Sequence, residues 1–449
     1  MKKLLYIILI TLFALSASAT DYYFANAPVG AGNCTLGNAC TTTMGSGSVA
    51  QAIIDNATEE STLYFNKGDT WTVDSTANIT THGLLIGSDD EIIHIDAYGA
   101  GDDPIFDGGV TDFSTADPHD AGTGPLLWSN LFKFNKAGCS VKNVEIKQMY
   151  GRAIETSASN FTATGNNIHH FGADAISNGT SDCGANILVE SNLLYEGQQL
   201  YRYGLRAGWG AAISFQRSVS ECEDTIVRYN VVYDIYGEGI IIHDGTVEYN
   251  FVGDTYSAGI YYNGTSVSND NDILFRYNLV TSSSSGTYRY ITYGIGWFDE
   301  RANGDATGSD VEIYGNVVIN RTYGIRIRQQ WGSDEAVDSM KIYNNTVIDS
   351  STWNYELYMG NDTADAGYFY NNASIFYHRP EKHVNDDATS KTNWTISHNL
   401  YWTPGIPAEV DSDWNTSYQR DNPLLAGEEQ GSPVDWTALA TGDPRGLVT

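Results

Sequence analysis

The sequence predicts an all-β protein, a right-handed parallel β-helix in which one chain winds into a solenoid of stacked coils. Two observations support this prediction. A short apolar phrase that contains an asparagine recurs along most of the 449-residue chain. A second phrase, a small residue followed by an isoleucine, comes after it at a nearly constant distance. Two phrases that repeat together, with insertions between them, are typical of solenoids.

The asparagine phrase predicts an asparagine ladder along one turn of the helix. Its runs are rich in β-branched and aromatic residues and are divided by Gly, Asn and Ser, which favours strands over helices. Each side-chain amide is therefore expected to hydrogen-bond to the coils above and below it. The predicted ladder consists of Asn167, Asn192, Asn230, Asn250, Asn278, Asn316, Asn345, Asn372 and Asn399, which are 20 to 38 positions apart.

The isoleucine phrase predicts which side chains face the core. Side chains alternate along a strand, so if each isoleucine points inward, the next residue points outward and the following one inward. The inward isoleucines are Ile154, Ile176, Ile213, Ile240, Ile260, Ile295 and Ile325. The outward-facing set then includes Glu155, Gln216, His243, Tyr261, Arg326 and Arg328.

The two ends of the chain are expected to differ from the regular coils. Residues 1–19 carry two lysines, an apolar run and a small-residue cleavage site, which predicts a secretory signal peptide and a protein secreted to the bacterial exterior or periplasm. Residues 20–135 are expected to form an N-terminal cap with a short helix at 48–56, followed by the first coils. Residues 136–402 would form the regular β-helix with groove-forming loops, and residues 403–449 an irregular C-terminal cap.

The net charge and the cysteines limit which partners and which cellular compartment are possible. The chain has 55 acidic and 24 basic residues, and the net charge of −31 disfavours nucleic acid and anionic membrane surfaces as partners. We expect a monomer. Among the five cysteines, Cys34 and Cys40 can close a short loop, and Cys183 and Cys222 precede successive ladder asparagines at similar distances, which allows a second bridge.

Several segments resemble a known superfamily. The N-terminal stretches "DYYFANAPVG", "GSVAQAIIDNA", "LYFNKGDTW" and "IIHIDAYGAGDDPIFDGG", and the tail "RDNPLLAGEEQGSPVDW", are similar to the ends of carbohydrate-active β-helices. With the repeats between them, the mature chain resembles the pectate-lyase-like superfamily of secreted proteins. The resemblance implies a polysaccharide ligand. It does not fix the chemistry, because lyases, epimerases, hydrolases and tailspikes share this scaffold.

Insertions point to the coil of His243 as the place of a site. The stretch from ladder asparagine to isoleucine is lengthened by insertions between Asn192 and Ile213 and between Asn278 and Ile295, whereas the coil of His243 is the shortest of all. A short coil between longer ones predicts the floor of a groove for an extended polymer.

A lyase that acts on a uronate-containing, anionic polysaccharide is the first hypothesis. The segment from Tyr201 to Gln330 has ten arginines and no lysine, and the planar arginine fork suits carboxylates. For β-elimination, the expected catalytic residues are His243 as base, Tyr261 as acid, Asp244 to orient the imidazole and Arg217 to neutralise the carboxylate. The expected substrate-binding residues are Arg326, Arg328, Gln216, Glu155, Tyr203, Trp209 and Tyr290.

Other functions stay open. A C5-epimerase would use similar groups, a glycoside hydrolase could pair Asp244 with Asp299, and a non-catalytic carbohydrate-binding β-helix could use the same groove. No cofactor is predicted with the exception of Ca²⁺, which the acidic groups of neighbouring coils leave open. His169 and His170 are adjacent on a strand and are therefore expected to point to opposite faces, which disfavours a joint metal site.

Overall fold

The structure is a computed structural model. It describes residues 19–26, 33–44, 48–73, 83–114, 130–179, 183–203, 210–216, 222–263, 272–282, 292–299, 310–329, 337–358, 364–377, 382–386, 394–403 and 418–419. Three long sheets of parallel strands dominate these residues, and the chain visits sheet 1, sheet 2 and sheet 3 in turn in each regular coil. The prediction of a parallel β-helix is thus confirmed.

The strands divide among the sheets as follows. Sheet 1 contains β4 (Leu84–Ile86), β7 (Asn130–Phe134), β10 (Arg152–Thr156), β13 (Ile176–Ser177), β16 (Ala211–Phe215), β19 (Glu238–Ile242), β22 (Ile260–Asn263), β25 (Tyr293–Asp299), β28 (Tyr323–Gln329), β31 (Trp353–Tyr358) and β34 (Lys382–Asp386). Sheet 2 contains β1 (Thr20–Phe24), β2 (Ser61–Asn66), β5 (Ile93–Tyr98), β8 (Ser140–Lys142), β11 (Thr162–Thr164), β14 (Leu188–Glu190), β17 (Thr225–Arg228), β20 (Gly245–Glu248), β23 (Ile273–Arg276), β26 (Asp310–Tyr314), β29 (Val337–Tyr343), β32 (Ala364–Tyr370) and β35 (Trp394–Ser397). Sheet 3 contains β3 (Thr70–Thr72), β6 (Ile105–Asp107), β9 (Glu145–Lys147), β12 (Asn167–Phe171), β15 (Leu193–Gly197), β18 (Val231–Ile235), β21 (Phe251–Thr255), β24 (Leu279–Thr281), β27 (Val317–Ile319), β30 (Thr346–Ile348), β33 (Ala373–Ile375), β36 (Asn399–Trp402) and β37 (Tyr418–Gln419).

The predicted isoleucine column lies inside the helix. The seven isoleucines pair directly with one another from β10 to β28, and all are fully buried. The inward residues two positions later, such as Phe215, Tyr262 and Trp297, belong to the same core cluster. The apolar pattern of sheet 1 therefore sets the register that the sequence predicts.

The asparagine ladder forms at the turn between sheet 2 and sheet 3. From Asn166 to Asn372, each amide donates to the side-chain oxygen of the next ladder asparagine and to a backbone carbonyl of the preceding coil. One predicted member is wrong, because the buried ladder residue of the first coil is Asn166, whereas Asn167 begins β12. The residue before each ladder asparagine has a positive φ, which turns the chain sharply there.

The N-terminal end is closed by a helix, as predicted. Helix α1 (Val49–Asn56) begins after Ser48, whose side chain accepts a hydrogen bond from the backbone N–H of Gln51. The Gln51 side chain exchanges two hydrogen bonds with the backbone of Leu85 in β4, so the helix is fixed to the first strand of sheet 1. A second helix, α2 (Gln199–Arg202), forms one turn beside β15. The signal peptide and most of the C-terminal cap lie outside the described residues, and the predicted domain limits stay predictions.

Both predicted disulfides are present. Cys34 bonds to Cys40 and Cys183 bonds to Cys222, with Cα–Cα distances of 4.7 and 4.8 Å. Cys139 is free and buried, and burial raises the pKa of its thiol to about 11. Two disulfides fit an oxidising compartment. Of the two helices in the described part of the chain, neither has the length and apolar character needed to cross a bilayer.

We expect removal of one ladder amide to destabilise the fold strongly. Asn250→Ala leaves Asn230 without its acceptor and removes the donors to Val227 and Asn278. Because a buried polar group without a partner costs about 1–3 kcal/mol, the free energy of unfolding should fall by about 2–4 kcal/mol in urea denaturation. The exposed Asn56→Ala should change it by less than about 0.5 kcal/mol, and equal losses in both variants would contradict the ladder's structural role.

Thiol titration should report the cysteine pairing directly. The native protein should react slowly with a thiol reagent, because the only thiol outside a disulfide is the buried Cys139. One thiol per chain should react in denaturant before reduction, and all five should react after it. A count of three in unreduced, denatured protein would mean that one of the two bridges does not form.

Candidate functional site

The outer face of sheet 1 carries most of the predicted site residues. One outward position in successive strands is occupied by Lys133, Glu155, Ser177, Ser214, Ile241, Tyr261, Gly296, Arg326 and Glu356, which we call the outer row. Most of its side chains are nevertheless buried. A strand therefore sets the direction of a side chain, but the residues packed over the sheet decide its exposure.

The N-terminal part of the outer row is an ion-pair network. Glu155 accepts from Lys133 at 2.7 Å and from Arg152 at 3.1 Å, and Arg152 also donates to Asp174 at 3.0 Å. The amide of Gln198 and the backbone N–H of Ala211 also donate to Asp174. Glu155, predicted to bind substrate, already has its oxygens engaged by these partners.

The middle of the outer row is apolar. Tyr261 packs with Ile241 and Phe298 in a cluster separate from the core, and its ring centroid lies 5.3 Å from that of Phe298. Further along, Arg326 is ion-paired with Glu356 and lies over the rings of Tyr293 and Tyr323. Arg326 is only 7% exposed, so as a substrate ligand it would first have to release Glu356.

His243 differs from its prediction. It follows the last residue of β19, where the chain bends, so strand alternation no longer determines its direction. Its side chain is 1% exposed and stacks on Tyr262, with ring centroids 5.7 Å apart and planes at 14°. Tyr262 in turn stacks on Trp297 in the core. His243 therefore extends a core aromatic stack, whereas Tyr261 packs on the opposite face, and the predicted base–acid pair is not assembled.

Asp244 is the predicted site residue with the strongest electrostatic perturbation. It lies between β19 and β20, is 8% exposed, and has a pKa raised to about 7 by burial and by the negative charges of Asp224, Asp272 and Glu223. Because Thr225, Gly245 and Ile273 are paired in sheet 2, the residues that precede them form a column. We call Asp224, Asp244 and Asp272 the aspartate column.

The remaining predicted site residues are dispersed or lie outside the described part. Gln216 is half-buried and donates to Ser214, Arg328 is half-buried in β28, and Tyr203 is exposed after α2 beneath the guanidinium of Arg202. Arg217, Trp209, Tyr290 and the side chain of Asp299 lie outside the described residues.

Most described arginines of the Tyr201–Gln330 segment serve the scaffold. Arg228 pairs with Glu190 and Arg276 with Glu248 on neighbouring coils. Arg321 is completely buried, donates to Thr255, and has its pKa lowered to about 10 by burial. These contacts reduce the number of arginines that could hold an anionic ligand.

Two further features lie away from sheet 1. A cleft of about 560 Å³ at the turn between sheets 2 and 3 is lined by Asp102, Asp103, Glu145, Asn167 and Tyr229 among others, and none of the aspartate column takes part in it. Beside it, the expectation that His169 and His170 point to opposite faces is wrong, since their Nδ1 atoms are 2.7 Å apart. The reason is the left-handed backbone of His170, with φ of 52°, which interrupts strand alternation.

Comparisons with known proteins show only distant similarity. No family model matches the chain, and no similar sequence was found among curated proteins. A rhamnogalacturonan lyase has a TM-score of 0.49 and 14% identity over 85% of this chain and 87% of its own. A surface adhesin of Streptococcus pneumoniae has a TM-score of 0.48 and 12% identity over 79% of this chain and 86% of its own. An alginate lyase from Paenibacillus sp. has a TM-score of 0.44 and 13% identity over 75% of this chain and 95% of its own. At this distance, function has to be argued from the residues of this chain.

Sequence reasoning named Asp244 but missed its partners. Asp224 lies one coil before it and Asp272 one coil after it, and only the pairing of β17, β20 and β23 makes the three residues neighbours. The signal was available, because each precedes the sheet 2 strand that leads to a ladder asparagine. Counting back from the ladder would have aligned all three.

We expect the stability of the protein to reveal the raised pKa of Asp244. An unfolded aspartate loses its proton near pH 3.9, whereas folded Asp244 keeps it to about pH 7, so the folded state loses stability as the pH rises between these values. Asp244→Asn should therefore unfold at higher urea concentration than the wild type at pH 8, with a smaller difference at pH 5. A pH-independent difference for Asp244→Asn would argue against the raised pKa.

The burial of His243 predicts a stability cost for its removal. His243→Ala deletes a ring from the stack on Tyr262 and should lower the free energy of unfolding by about 2–4 kcal/mol, as for other buried large-to-small changes. The partly exposed His94→Ala, which breaks a surface pair with Glu60 and a hydrogen bond with Ser140, should cost less, about 1 kcal/mol. A cost below about 0.5 kcal/mol for His243→Ala, the usual range for surface changes, would instead indicate the exposed position expected from the sequence.

Proposed function

We propose that the protein is a secreted carbohydrate-active enzyme that cleaves a polysaccharide, with Asp244 as its proton-transferring group. The observation that carries this proposal is the aspartate column, in which one buried carboxyl with a pKa of about 7 lies between two exposed carboxylates. A group whose pKa is near the working pH can both donate and accept a proton during the reaction. Perturbed carboxyls in this setting are frequent at catalytic sites.

Hydrolysis is the reaction class that this column supports best. Glycoside hydrolases use two carboxyl groups whose environments move their pKa values apart, one acting as acid and the other as nucleophile or base. Asp244 would be the acid, and Asp224 or Asp272 the second group. Neighbouring coils are about 4.8 Å apart, close to the spacing of about 5–5.5 Å in retaining enzymes. This pairing replaces the pair of Asp244 and Asp299 that the sequence suggested.

The position of Asp244 fits an extended polymer. It lies at the edge where sheet 1 passes into sheet 2, on the shortest coil, between the coils that carry the long insertions after Asn192 and Asn278. A polymer that lies along the helix axis would pass the three aspartates in succession. The repeat of the scaffold thereby offers one carboxyl for each coil that the polymer crosses.

β-Elimination on an anionic, uronate-containing polymer is the second candidate, with epimerisation as its variant. It is favoured by Arg328, whose half-buried guanidinium side chain lies on the outer side of sheet 1 beside Phe298 and could meet a substrate carboxylate. It has less support than hydrolysis, because His243 and Tyr261 face opposite sides and Arg326 is paired with Glu356.

Product analysis separates these reactions. The full mature chain is incubated with a panel of neutral and uronate-containing polysaccharides, and both new reducing ends and absorbance in the unsaturated-uronate band are recorded. New reducing ends without absorbance are expected for hydrolysis, and a rise in absorbance would identify the lyase. Neither product on a broad panel would favour a carbohydrate-binding protein and contradict the proposal.

Asp244→Asn should then lower turnover by on the order of 10²–10⁴, the usual contribution of a positioned acid or base. The matched control is Asp234→Asn, which removes a carboxyl whose pKa is also raised, to about 6, but which lies in sheet 3 away from the aspartate column. The control should retain wild-type turnover. Full activity of Asp244→Asn would exclude Asp244 as the catalytic group.

A further inference from the structure

Two histidines and a glutamate meet on the outer side of sheet 3. His169 and His170 are in β12, and Glu196 is in β15 of the next coil. The Nδ1 atoms of the two imidazoles are 2.7 Å apart, and His170 Nε2 is 2.7 Å from Glu196 Oε2. One ligand atom from each of the three residues can be chosen so that all lie within 4.8 Å of one another.

Backbone geometry explains why these side chains converge. His170 and Glu196 both have a φ of 52°, and the strand pairing passes from His169–Tyr195 directly to Phe171–Gly197. His170 and Glu196 thus lie opposite each other on adjacent coils, at a level where the ladder pairing is interrupted. A left-handed residue breaks the alternation of a strand, so the imidazole of His170 can leave the sheet on the same side as that of His169.

His169 is held with one ring nitrogen ready for a ligand. Its Nε2 faces Glu145 Oε1 at 3.3 Å, and its ring stacks on Tyr195 with centroids 4.7 Å apart and planes at 9°. A carboxylate that accepts from one imidazole nitrogen fixes the tautomer and directs the lone pair of the other outward, which is the usual support of a metal-binding histidine. Glu145 occupies that supporting position for Nδ1 of His169.

We propose that His169, His170 and Glu196 form a binding site for a divalent transition-metal cation of the Zn²⁺ class. Two imidazole nitrogens at this distance need a proton or a cation between them, since two bare lone pairs repel. Tetrahedral Zn²⁺ with ligands at about 2.0–2.1 Å separates two nitrogens by about 3.3 Å, so the Nδ1 atoms need to move apart by roughly 0.6 Å. His170 and Glu196, with side chains 44% and 43% exposed, have the freedom to adjust.

Nearby acidic residues favour the binding of a cation at this site, and the two imidazoles with one carboxylate determine which class of cation fits. Asp234 and Asp254 continue the column of left-handed residues beyond Glu196 on the next two coils, and they place further negative charge along it. Two imidazoles with one carboxylate suit Zn²⁺ and its transition-metal neighbours, whereas Ca²⁺ and Mg²⁺ prefer an all-oxygen set. A bound ion would join β12 to β15, with Glu145 supporting it from β9.

Metal uptake tests the proposal independently of any catalytic activity. The mature chain is stripped with a chelator, titrated with Zn²⁺ by calorimetry, and checked for thermal unfolding with and without the metal. We expect one Zn²⁺ per chain and a higher Tm when it is bound. His170→Ala, chosen because its side chain is half exposed, should weaken Zn²⁺ binding by on the order of 100-fold, and Glu145→Gln, which only positions His169, by about 10–100-fold.

Control variants and a competing ion make the outcome decisive. His94→Ala removes another partly exposed histidine, whose two ring nitrogens face Glu60 and Ser140, and it should leave Zn²⁺ affinity and the Tm shift unchanged. Millimolar Ca²⁺ should not displace the ion. Wild-type affinity in His170→Ala, displacement by Ca²⁺, or no uptake beyond that of the His169→Ala/His170→Ala double variant would each overturn the proposal.

Discussion

The turn between sheets 2 and 3 is the constraint on which the rest of the helix depends. Each coil has to reverse direction around a dry core, and its backbone N–H and carbonyl groups at the turn cannot reach water. The ladder asparagines supply the missing partners, since each amide bonds to the preceding coil and to the next asparagine. Because an unpaired buried polar group is costly, slipping one coil by a single residue would leave several groups unsatisfied at once. The ladder therefore fixes the register of every strand that precedes or follows it.

With a fixed register, equivalent residues of successive coils lie beside one another in columns. The charged and titratable groups of the protein interact within these columns. Where opposite charges share a column, as Glu190 with Arg228 or Glu248 with Arg276, the result is an ion pair. Where like charges share one, a carboxyl gives up its proton less readily, and the pKa values of Asp244 and Asp234 are both raised by burial and, after it, by the neighbouring carboxylates. The same physical effect thus arises at two places. Their positions differ, since Asp244 lies beside sheet 1 and Asp234 lies in sheet 3.

The sequence was informative wherever a residue sits within a strand. The isoleucine column and its inward neighbours follow from apolar alternation, which holds because every coil buries the same face. It was misleading one residue beyond a strand or at a left-handed residue. The sequence predicted Asn167 as the ladder residue, where the structure has Asn166. It predicted that His243 points outward, although β19 ends at Ile242, and that His169 and His170 point to opposite faces, although their Nδ1 atoms are in contact. Left-handed residues here include Tyr229 and Glu196, residue types that give little sequence signal for a positive φ.

Exposure was the other quantity that alternation could not supply. Tyr261 and Arg326 point away from the core as expected, yet both are buried by contacts with rings of a neighbouring coil, Phe298 beside Tyr261 and Tyr293 beside Arg326. For Arg326 the consequence is chemical, because its charge is already compensated by Glu356. Arg228, Arg276 and Lys341 are likewise paired with carboxylates, while the protein as a whole carries a charge of −31. An anionic polymer would therefore approach against a repulsive field that extends about 8–10 Å at moderate salt, whereas a neutral one would not. This difference between anionic and neutral polymers supports the same proposal as the aspartate column, namely hydrolysis of a polysaccharide whose recognition does not depend on negative charge.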